Sequence, residues 1–561
     1  MTSTPAFDPE GPEPARQGTT RQVPARNGKV MRVSVLTIAV ALLAATLAPG
    51  TASSAPAPAA WPTTAVSPAG QPTTATSPEP TLTWGDCPEA VAAPGLECAT
   101  IDVPLDYAEP DGRTIEVAVS RLASTNPQER RGVLLTNTGG PGGEGLSYPA
   151  GLRDVLKLPQ ALLDQYDVIG MDPRGVGHST PVTCGISPLD QPTNIPMYAR
   201  GAADVRAEAK RVAAVAEKCG ASATADVLPH ITTANTARDM DRIRVALGES
   251  TISYFGISYG TYLGSVYTSL FPEHSDRFLL DSATGPGGWD ASFSRLFGQG
   301  VEDRFPDFAR FAAARPEYGL GETPRQVRAK YFELAARLDK TPSPDGYTGA
   351  AFRFATFAAL YYDSSLPGLA ETWQALDQGE PVPVPGAVTA PAPAEPGVPG
   401  EQATPGEQPA PSSEAAGIPA DNYVASQLHV ICNDSDWPEQ LWRYQVNVAI
   451  DRVRYPMFGA AGANVTPCAN WPSEPVEPQV KITDEGPSNV LILQNLRDQA
   501  TPLAGAQALR DAFGDRARMV TADQGGHLSY LRLGNDCADD IATEFLLTGV
   551  LPVDDVACGA P

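Results

Sequence analysis

Short runs of apolar and β-branched residues recur along the chain, and turn-forming residues follow most of them. Such runs are typical of buried strands. We expect strands at residues 115–119, 133–137, 166–171, 251–255, 489–495 and 517–521. The core sheet is therefore expected to start near Ile115.

Residues 291–376 have a different pattern, because their apolar positions recur with the spacing of a helix, as in residues 327–335. Residues 377–420 are rich in Pro, Ala and Glu and show no core-forming pattern. We expect a helical cap over 291–425 that carries a disordered surface loop at 377–420. The catalytic core would then be divided into residues 83–290 and 426–561.

The N-terminal segment reads as an export signal. Basic residues precede an apolar run at 33–47, and small residues follow it. We assign residues 1–55 to a signal peptide with a pre-extension and residues 56–82 to a disordered linker. The apolar run is too short for a membrane span, so we expect a secreted protein without a stable membrane anchor.

Eight cysteines fit an exported protein, because an even number predicts disulfides outside the cell. Their order in the chain suggests pairing between neighbours: Cys87 with Cys98, Cys184 with Cys219, Cys432 with Cys468, and Cys537 with Cys558. None belongs to a C-x-x-C pair, so we expect no metal and no cofactor. The net charge of −25 argues against nucleic acid and anionic membranes as partners.

The pentapeptide Gly256–Gly260 has the pattern G-x-S-x-G. It follows the predicted strand 251–255 and opens into the helix-like residues 261–267. This strand–turn–helix setting is typical of a nucleophile elbow, in which a tight turn presents a serine hydroxyl above a sheet. Ser258 is the predicted nucleophile.

Three histidines follow Ser258, namely His274, His429 and His527. His274 reads as a surface residue, and His429 lies in an apolar stretch that favours a packed position. His527 lies in a glycine-rich loop after the predicted strand 517–521. A loop at a strand end lets a histidine reach over the sheet, so His527 is the predicted general base.

The acid of a Ser-Asp-His triad should lie between the serine and the histidine in the chain. Asp498 follows the predicted strand 489–495 and is our candidate to orient His527. An alternative role for it, capping the helix 502–513, is better assigned to Thr501 with Pro502 at the first helical position. Asp523 is a rival acid, but it is too close to His527 in sequence.

The glycine-rich stretch 138–145 follows the predicted strand 133–137. Glycines permit positive φ, and they let main-chain N–H groups point inward to stabilise an oxyanion. We assign one oxyanion donor to Gly139 or Gly140 and the other to Tyr259. A phosphate-binding loop is rejected because no Gly-Lys-Ser/Thr follows.

Asp172 and Arg174 follow the predicted strand 166–171. We read the pair as structural, bracing the turn beside the glycine-rich stretch.

These motifs resemble those of α/β-hydrolase peptidases related to prolyl aminopeptidase, and more narrowly of secreted actinobacterial tripeptidyl aminopeptidases with a C-terminal TAP-like region. The segments that carry the resemblance are residues 139–143, 172–175, 232–241 and 255–264. It covers residues 83–290 and 421 to the C-terminus. It implies an α/β-hydrolase fold, mostly parallel in its central sheet and flanked by helices, with Ser258, Asp498 and His527 as the triad. It also implies release of short peptides, typically tripeptides, from free N-termini.

Two positions depart from the related prolyl aminopeptidases. Thr138 stands where their loop usually has His, which argues against a simple proline iminopeptidase. Glu144 stands where Ser is common, so its carboxylate either binds the substrate ammonium or faces solvent. Asp434, in an acidic segment near the cap boundary, is a second candidate for the ammonium, since a carboxylate recognises it best.

We therefore expect a monomeric serine exopeptidase that acts on peptides or proteins with a free N-terminus. The alternative is a secreted esterase or small-molecule amidase, because ester and amide cleavage use the same triad. A non-catalytic binding protein on the same scaffold is disfavoured by the intact Ser258, Asp498 and His527.

Overall fold

The computed structural model describes three stretches of the chain, residues 81–187, 195–382 and 417–561. The expected signal peptide, most of the expected linker and most of the expected loop 377–420 lie outside these stretches. Among the described residues, no helix combines the length and the apolar character that a membrane crossing requires.

Ten strands of the described residues form one sheet in the order β1-β2-β3-β5-β4-β6-β7-β8-β9-β10. The strands are β1 (Gly85–Asp86), β2 (Leu96–Pro104), β3 (Thr114–Leu122), β4 (Gly132–Asn137), β5 (Tyr166–Met171), β6 (Ile252–Ile257), β7 (Ser275–Asp281), β8 (Val490–Arg497), β9 (Ala517–Gly525) and β10 (Val556–Cys558). Pairing is antiparallel from β1 to β5 and parallel from β5 to β10. The expected α/β-hydrolase fold is confirmed.

All six predicted runs are strands, but the sheet starts earlier than residue 115, so that expectation is wrong. Strand β2 precedes β3 and pairs with it along nine residues. Its side chains alternate, with Ala99, Ile101 and Val103 buried and Thr100 and Asp102 exposed. That alternation marks a half-solvated antiparallel strand, whereas the runs recognised from sequence are mostly buried on both faces.

Fourteen helices accompany the sheet in the described residues. They are α1 (Tyr148–Asp154), α2 (Gln160–Gln165), α3 (Ala202–Gly220), α4 (Thr233–Ala246), α5 (Tyr259–Leu270), α6 (Ala291–Ala313), α7 (Pro324–Lys340), α8 (Gly349–Ala359), α9 (Leu366–Gln378), α10 (Asn422–Asn433), α11 (Leu441–Arg454), α12 (Gly459–Gly462), α13 (Leu503–Phe513) and α14 (Asp536–Thr548).

The helices cover both faces of the sheet, because successive strand residues point to opposite sides. Val133 and Leu135 of β4 pack in one core with residues of α4, α5, α10 and α13. Leu134, between them, packs in a second core with residues of α1, α2 and α14. The strands in the middle of the sheet are therefore buried on both sides, and their carboxyl ends share one edge.

Helices α6 to α9 form the expected cap, which has a core of its own. Its centre is Trp373, fully buried among the rings of Phe305, Phe308, Tyr331 and Phe352. Helix α6 begins where the Asp290 carboxylate accepts the N–H groups of the first turn. Helices α10 to α12 also precede β8, so helical structure continues past residue 425.

Four disulfides tie the chain locally, and they join the neighbours expected from the sequence. The pairs are Cys87–Cys98, Cys184–Cys219, Cys432–Cys468 and Cys537–Cys558.

Candidate active site

Ser258 occupies the turn between β6 and α5, with φ 55° and ψ −123°. A positive φ is uncommon for a residue with a side chain, and here it stores strain at the strand end. The flanking glycines are required by space. A Cβ on Gly256 would lie 2.4 Å from the ring of Tyr254, and one on Gly260 would lie 2.8 Å from Oδ1 of Asn137. The turn therefore has the geometry of a nucleophile elbow.

His527 and Asp498 meet at the ends of neighbouring strands. Nδ1 of His527 lies 2.8 Å from Oδ2 of Asp498, and both side chains are buried. The carboxylate also accepts the N–H groups of Ala500 and Thr501 and the hydroxyl of Thr501, each at 2.8 Å. With Nδ1–H donating to the carboxylate, Nε2 keeps its lone pair and can accept a proton.

The helix after Asp498 starts later than the sequence suggested. Helix α13 begins at Leu503 with Pro502 as its N-cap, and Thr501 makes no capping bond. The Thr501 hydroxyl donates to Asp498 instead, so the assignment of the cap to Thr501 was wrong. The rival acid Asp523 is exposed and forms an ion pair with Arg497.

Ser258 and His527 line the same pocket. Within the described residues, no direct hydrogen bond joins the serine hydroxyl to the imidazole. In free enzymes such contacts are often long and tighten only with substrate bound, so the lack of this hydrogen bond does not exclude proton transfer between the two residues.

The main-chain donors beside Ser258 separate into two kinds. The N–H of Gly139 donates to Oδ1 of Asn137 at 3.0 Å. The N–H groups of Gly140 and Tyr259 have no partner among the described residues, and Gly140 lines the pocket. Gly139 packs against the elbow, since a Cβ there would lie 3.1 Å from that of Ser258. Gly140 and Tyr259 are thus the donors free to bind an oxyanion.

Asp172 braces the glycine-rich stretch, as the sequence suggested. Its carboxylate is fully buried and accepts the N–H groups of Gly145 and Leu146, at 2.7 and 3.2 Å. Arg174, also fully buried, binds both oxygens of Asp239 at 2.6 and 2.7 Å. Neither residue lines the Ser258 pocket.

Asp281, at the end of β7, is a site residue that the sequence reasoning missed. Its carbonyl accepts the N–H of Ser258 at 2.9 Å. Its fully buried carboxylate accepts the N–H groups of Ser529 and Tyr530, just after His527. Burial raises the pKa of Asp281 to about 6 despite these bonds. The sequence feature that could have identified it is an apolar run, residues 278–280, directly before Asp281 and soon after the nucleophile helix.

The two candidates for ammonium binding lie outside the residues that line this pocket. Glu144 is exposed and lies beside Gly177. Asp434 lines a second, smaller pocket, and both of its oxygens accept hydrogen bonds from Thr233. Burial raises the pKa of Asp434 to about 7.

Aromatic rings make up much of the wall of the Ser258 pocket. Trp289 precedes helix α6, Phe293 and Phe297 lie on that helix, and Tyr361 and Tyr362 follow helix α8. No carboxylate belongs to the lining within the described residues. The pocket therefore favours an apolar group next to the nucleophile.

The other two histidines that follow Ser258 in the chain lie away from the pocket. His429 is fully buried, its Nδ1 lies 2.6 Å from the carbonyl of Ala425, and burial lowers its pKa to about 4. His274 is partly exposed and contacts Asp241.

Sequence comparison relates the chain to known hydrolases. A family described as "TAP-like protein" matches residues 455–558. Tripeptidyl aminopeptidase from Streptomyces lividans is 36% identical over 489 residues, covering 85% of this chain and 86% of the relative. Serine protease Hip1 from Mycobacterium tuberculosis is 26% identical, covering 85% and 90%. Carboxylesterase B from Mycobacterium tuberculosis is 28% identical, covering 85% and 89%. The chain thus belongs to the tripeptidyl aminopeptidase family of α/β-hydrolases and is a serine hydrolase.

Proposed function

We propose that the protein is an exported serine exopeptidase that releases short peptides, chiefly tripeptides, from free N-termini, with Ser258, Asp498 and His527 as its triad. The observation that carries the proposal is the 2.8 Å contact between His527 and Asp498 at the pocket into which the strained Ser258 opens. The similarity to relatives named tripeptidyl aminopeptidase supports the peptide substrate.

The chemistry follows from these positions. Nε2 of His527 takes the proton of the Ser258 hydroxyl as Oγ bonds to the substrate carbonyl carbon. The N–H groups of Gly140 and Tyr259 stabilise the oxyanion. The imidazolium, stabilised by Asp498, then protonates the leaving amine as the C–N bond breaks. Water, deprotonated by His527, hydrolyses the acyl-enzyme and restores Ser258.

Export is supported by the four disulfides, since such bonds persist in oxidising surroundings. The basic, apolar and small-residue order of the N-terminal sequence supports it independently.

Recognition of the N-terminal ammonium is assigned to Glu144. It lies at the end of the glycine-rich stretch, its neighbours Gly143 and Gly145 are buried, and its own side chain is exposed. Removing the charge of the carboxylate that binds the ammonium should matter only for substrates with a free amine. Glu144→Gln should therefore raise KM for a free tripeptide amide and leave KM for the N-blocked amide unchanged.

Esterase activity is the second candidate, because a specific observation favours it. The described lining of the pocket offers aromatic rings but no carboxylate for an ammonium. A small uncharged ester would be accommodated without one.

A matched chromogenic set separates the two candidates. It comprises one-, two- and three-residue amides, an N-blocked tripeptide amide and a short-chain ester, with Ser258→Ala as the control. Preference for the free tripeptide amide, lost in the control, supports the exopeptidase. Cleavage of the ester alone, or indifference to N-blocking, overturns it in favour of the esterase or amidase.

A further inference from the structure

Three side chains far apart in sequence form a hydrogen-bonded chain behind the nucleophile. The Asp434 carboxylate accepts the main-chain N–H of Thr233 at 2.8 Å and its hydroxyl at 2.5 Å. The Thr233 oxygen lies 2.5 Å from the phenol oxygen of Tyr259. When the Asp434 carboxylate is ionised, the threonine hydroxyl donates to it, and the phenol of Tyr259 is then the donor to the Thr233 oxygen.

This chain of hydrogen bonds ends at Tyr259, whose main-chain N–H is one of the two proposed oxyanion donors. Tyr259 follows Ser258, opens helix α5, and carries one of the two free main-chain donors. Its side chain is 4% exposed, so the ring is enclosed and its hydroxyl needs a buried partner. Fixing the phenol at Thr233 therefore restricts the main chain of Tyr259 from its far end.

Asp434 also lies at the end of helix α10, which packs against the stretch that carries the other proposed donor, Gly140. Asp434 directly follows helix α10, whose Gln427 amide donates to the carbonyl of Pro141, next to Gly140. A Cβ on Gly142 would lie 2.7 Å from Oγ of Ser426, so the helix and the glycine-rich stretch are in close contact. Helix α10 thus contacts the glycine-rich stretch, and Asp434 at its C-terminal end contacts Thr233.

We propose that Asp434 is a positioning residue for the oxyanion site, acting through Thr233 on Tyr259, and that it does not contact substrate. The inference rests on the proposed function only in taking Ser258 as the nucleophile. It differs from an ammonium-binding role for Asp434, because both carboxylate oxygens are engaged with Thr233. The other carboxylate of that small pocket, Glu477, is paired with Arg238 at 2.6 Å.

A positioning role for Asp434 predicts a loss of kcat that is the same whether the substrate's N-terminus is free or blocked. Asp434→Asn and Tyr259→Phe should each lower kcat by roughly 10-fold, less than the 10²–10³ for deleting an oxyanion donor outright. The loss should be equal on the free tripeptide amide, the N-blocked amide and the ester, with KM within about twofold of wild type. Their double variant should lose little more than either single one, because both break one chain.

Two further variants keep the test independent of folding. Thr233→Ser retains the hydroxyl and should keep wild-type kcat, whereas Thr233→Val should reproduce Asp434→Asn. Asp436→Asn, two residues along and exposed, is the matched control. The inference is overturned if Asp434→Asn raises KM for the free-amine substrate alone, or if Tyr259→Phe keeps wild-type kcat. The ester arm keeps the test valid even if the protein proves to be an esterase.

Discussion

The main-chain N–H of His527 donates a 2.9 Å hydrogen bond to the carbonyl of Tyr361, a residue of the cap. The Tyr361 ring also lies edge-on to the imidazole, with centroids 5.3 Å apart. The cap therefore helps to hold the proposed base as well as to wall the pocket. Whatever fixes the turn after helix α8 should then affect proton transfer.

Arg304 helps to hold this turn. It is 1% exposed, and its guanidinium donates to the carbonyl of Leu360 and to the carboxylates of Asp307 and Asp363. Arg304→Lys cannot make these bonds together, because an ammonium lacks the planar fork of a guanidinium. We expect kcat to fall by roughly 10-fold with KM within about twofold, measured on the best amide substrate.

The control for this prediction is Arg310→Gln, since Arg310 also binds Asp307 but is mostly exposed. It should keep wild-type kcat. An equal fall in kcat in both variants would contradict the link between the cap and His527. So would a change in KM without a fall in kcat for Arg304→Lys.

The elbow glycines should tolerate no side chain. A methyl group on Gly256 would lie 2.4 Å from the Tyr254 ring and 2.5 Å from the carbonyl of Gly260. Overpacking of this kind costs about 1–3 kcal/mol or more in the free energy of unfolding. Gly256→Ala should lower the unfolding temperature and abolish amide hydrolysis. The control is Gly285→Ala, whose added Cβ would lie 3.9 Å from its nearest neighbour, and it should change neither the unfolding temperature nor the activity. Wild-type stability and activity in Gly256→Ala as well would contradict the tight turn.

The sequence predicted those parts of the site that are encoded locally. Ser258, Asp498 and His527 each follow a predicted strand in a fixed chain order, and that pattern is readable without a structure. Thr501 shows the limit even nearby. Its Thr-Pro pattern is typical of a helix start, but its hydroxyl donates to the buried carboxylate of Asp498, three residues earlier.

What the sequence did not reveal depends on contacts between distant segments. Thr233 and Asp434 are 201 positions apart, and Asp281 and Tyr530 are 249 apart. No periodicity or spacing links such residues, because only the packing of separate elements brings them together. The charge of Asp434 is visible in the sequence, but its hydrogen bonds to Thr233, and through Thr233 to Tyr259, are not.

The aromatic wall predicts a preference for apolar residues at the cleaved bond. Phe293 lines the pocket beside Trp289 and Phe297, and the described lining contains no Asp, Glu, Lys or Arg. Phe293→Ala should lower kcat/KM for a leucine tripeptide amide by about 10-fold or more, because a large apolar contact is lost. The alanine analogue should lose much less.

Phe311→Ala provides the control for this prediction, because Phe311 lies on the same helix but packs against Tyr318. It should leave the ratio of the two substrates unchanged. Equal losses on the leucine and alanine substrates in Phe293→Ala would show that the ring supports the fold of the cap instead of binding substrate.

His429 should make the fold sensitive to acid. Its folded-state pKa is about 4 because of burial, against about 6.5 in the unfolded chain. Between these values the unfolded chain binds a proton that the folded protein does not, so stability is lost as pH falls from 6.5 towards 4. His429→Gln removes this titration. The wild type should lose about 2 kcal/mol more than the variant between pH 7.5 and 5, as measured by urea unfolding. Parallel pH profiles of the two proteins would refute the buried, neutral histidine.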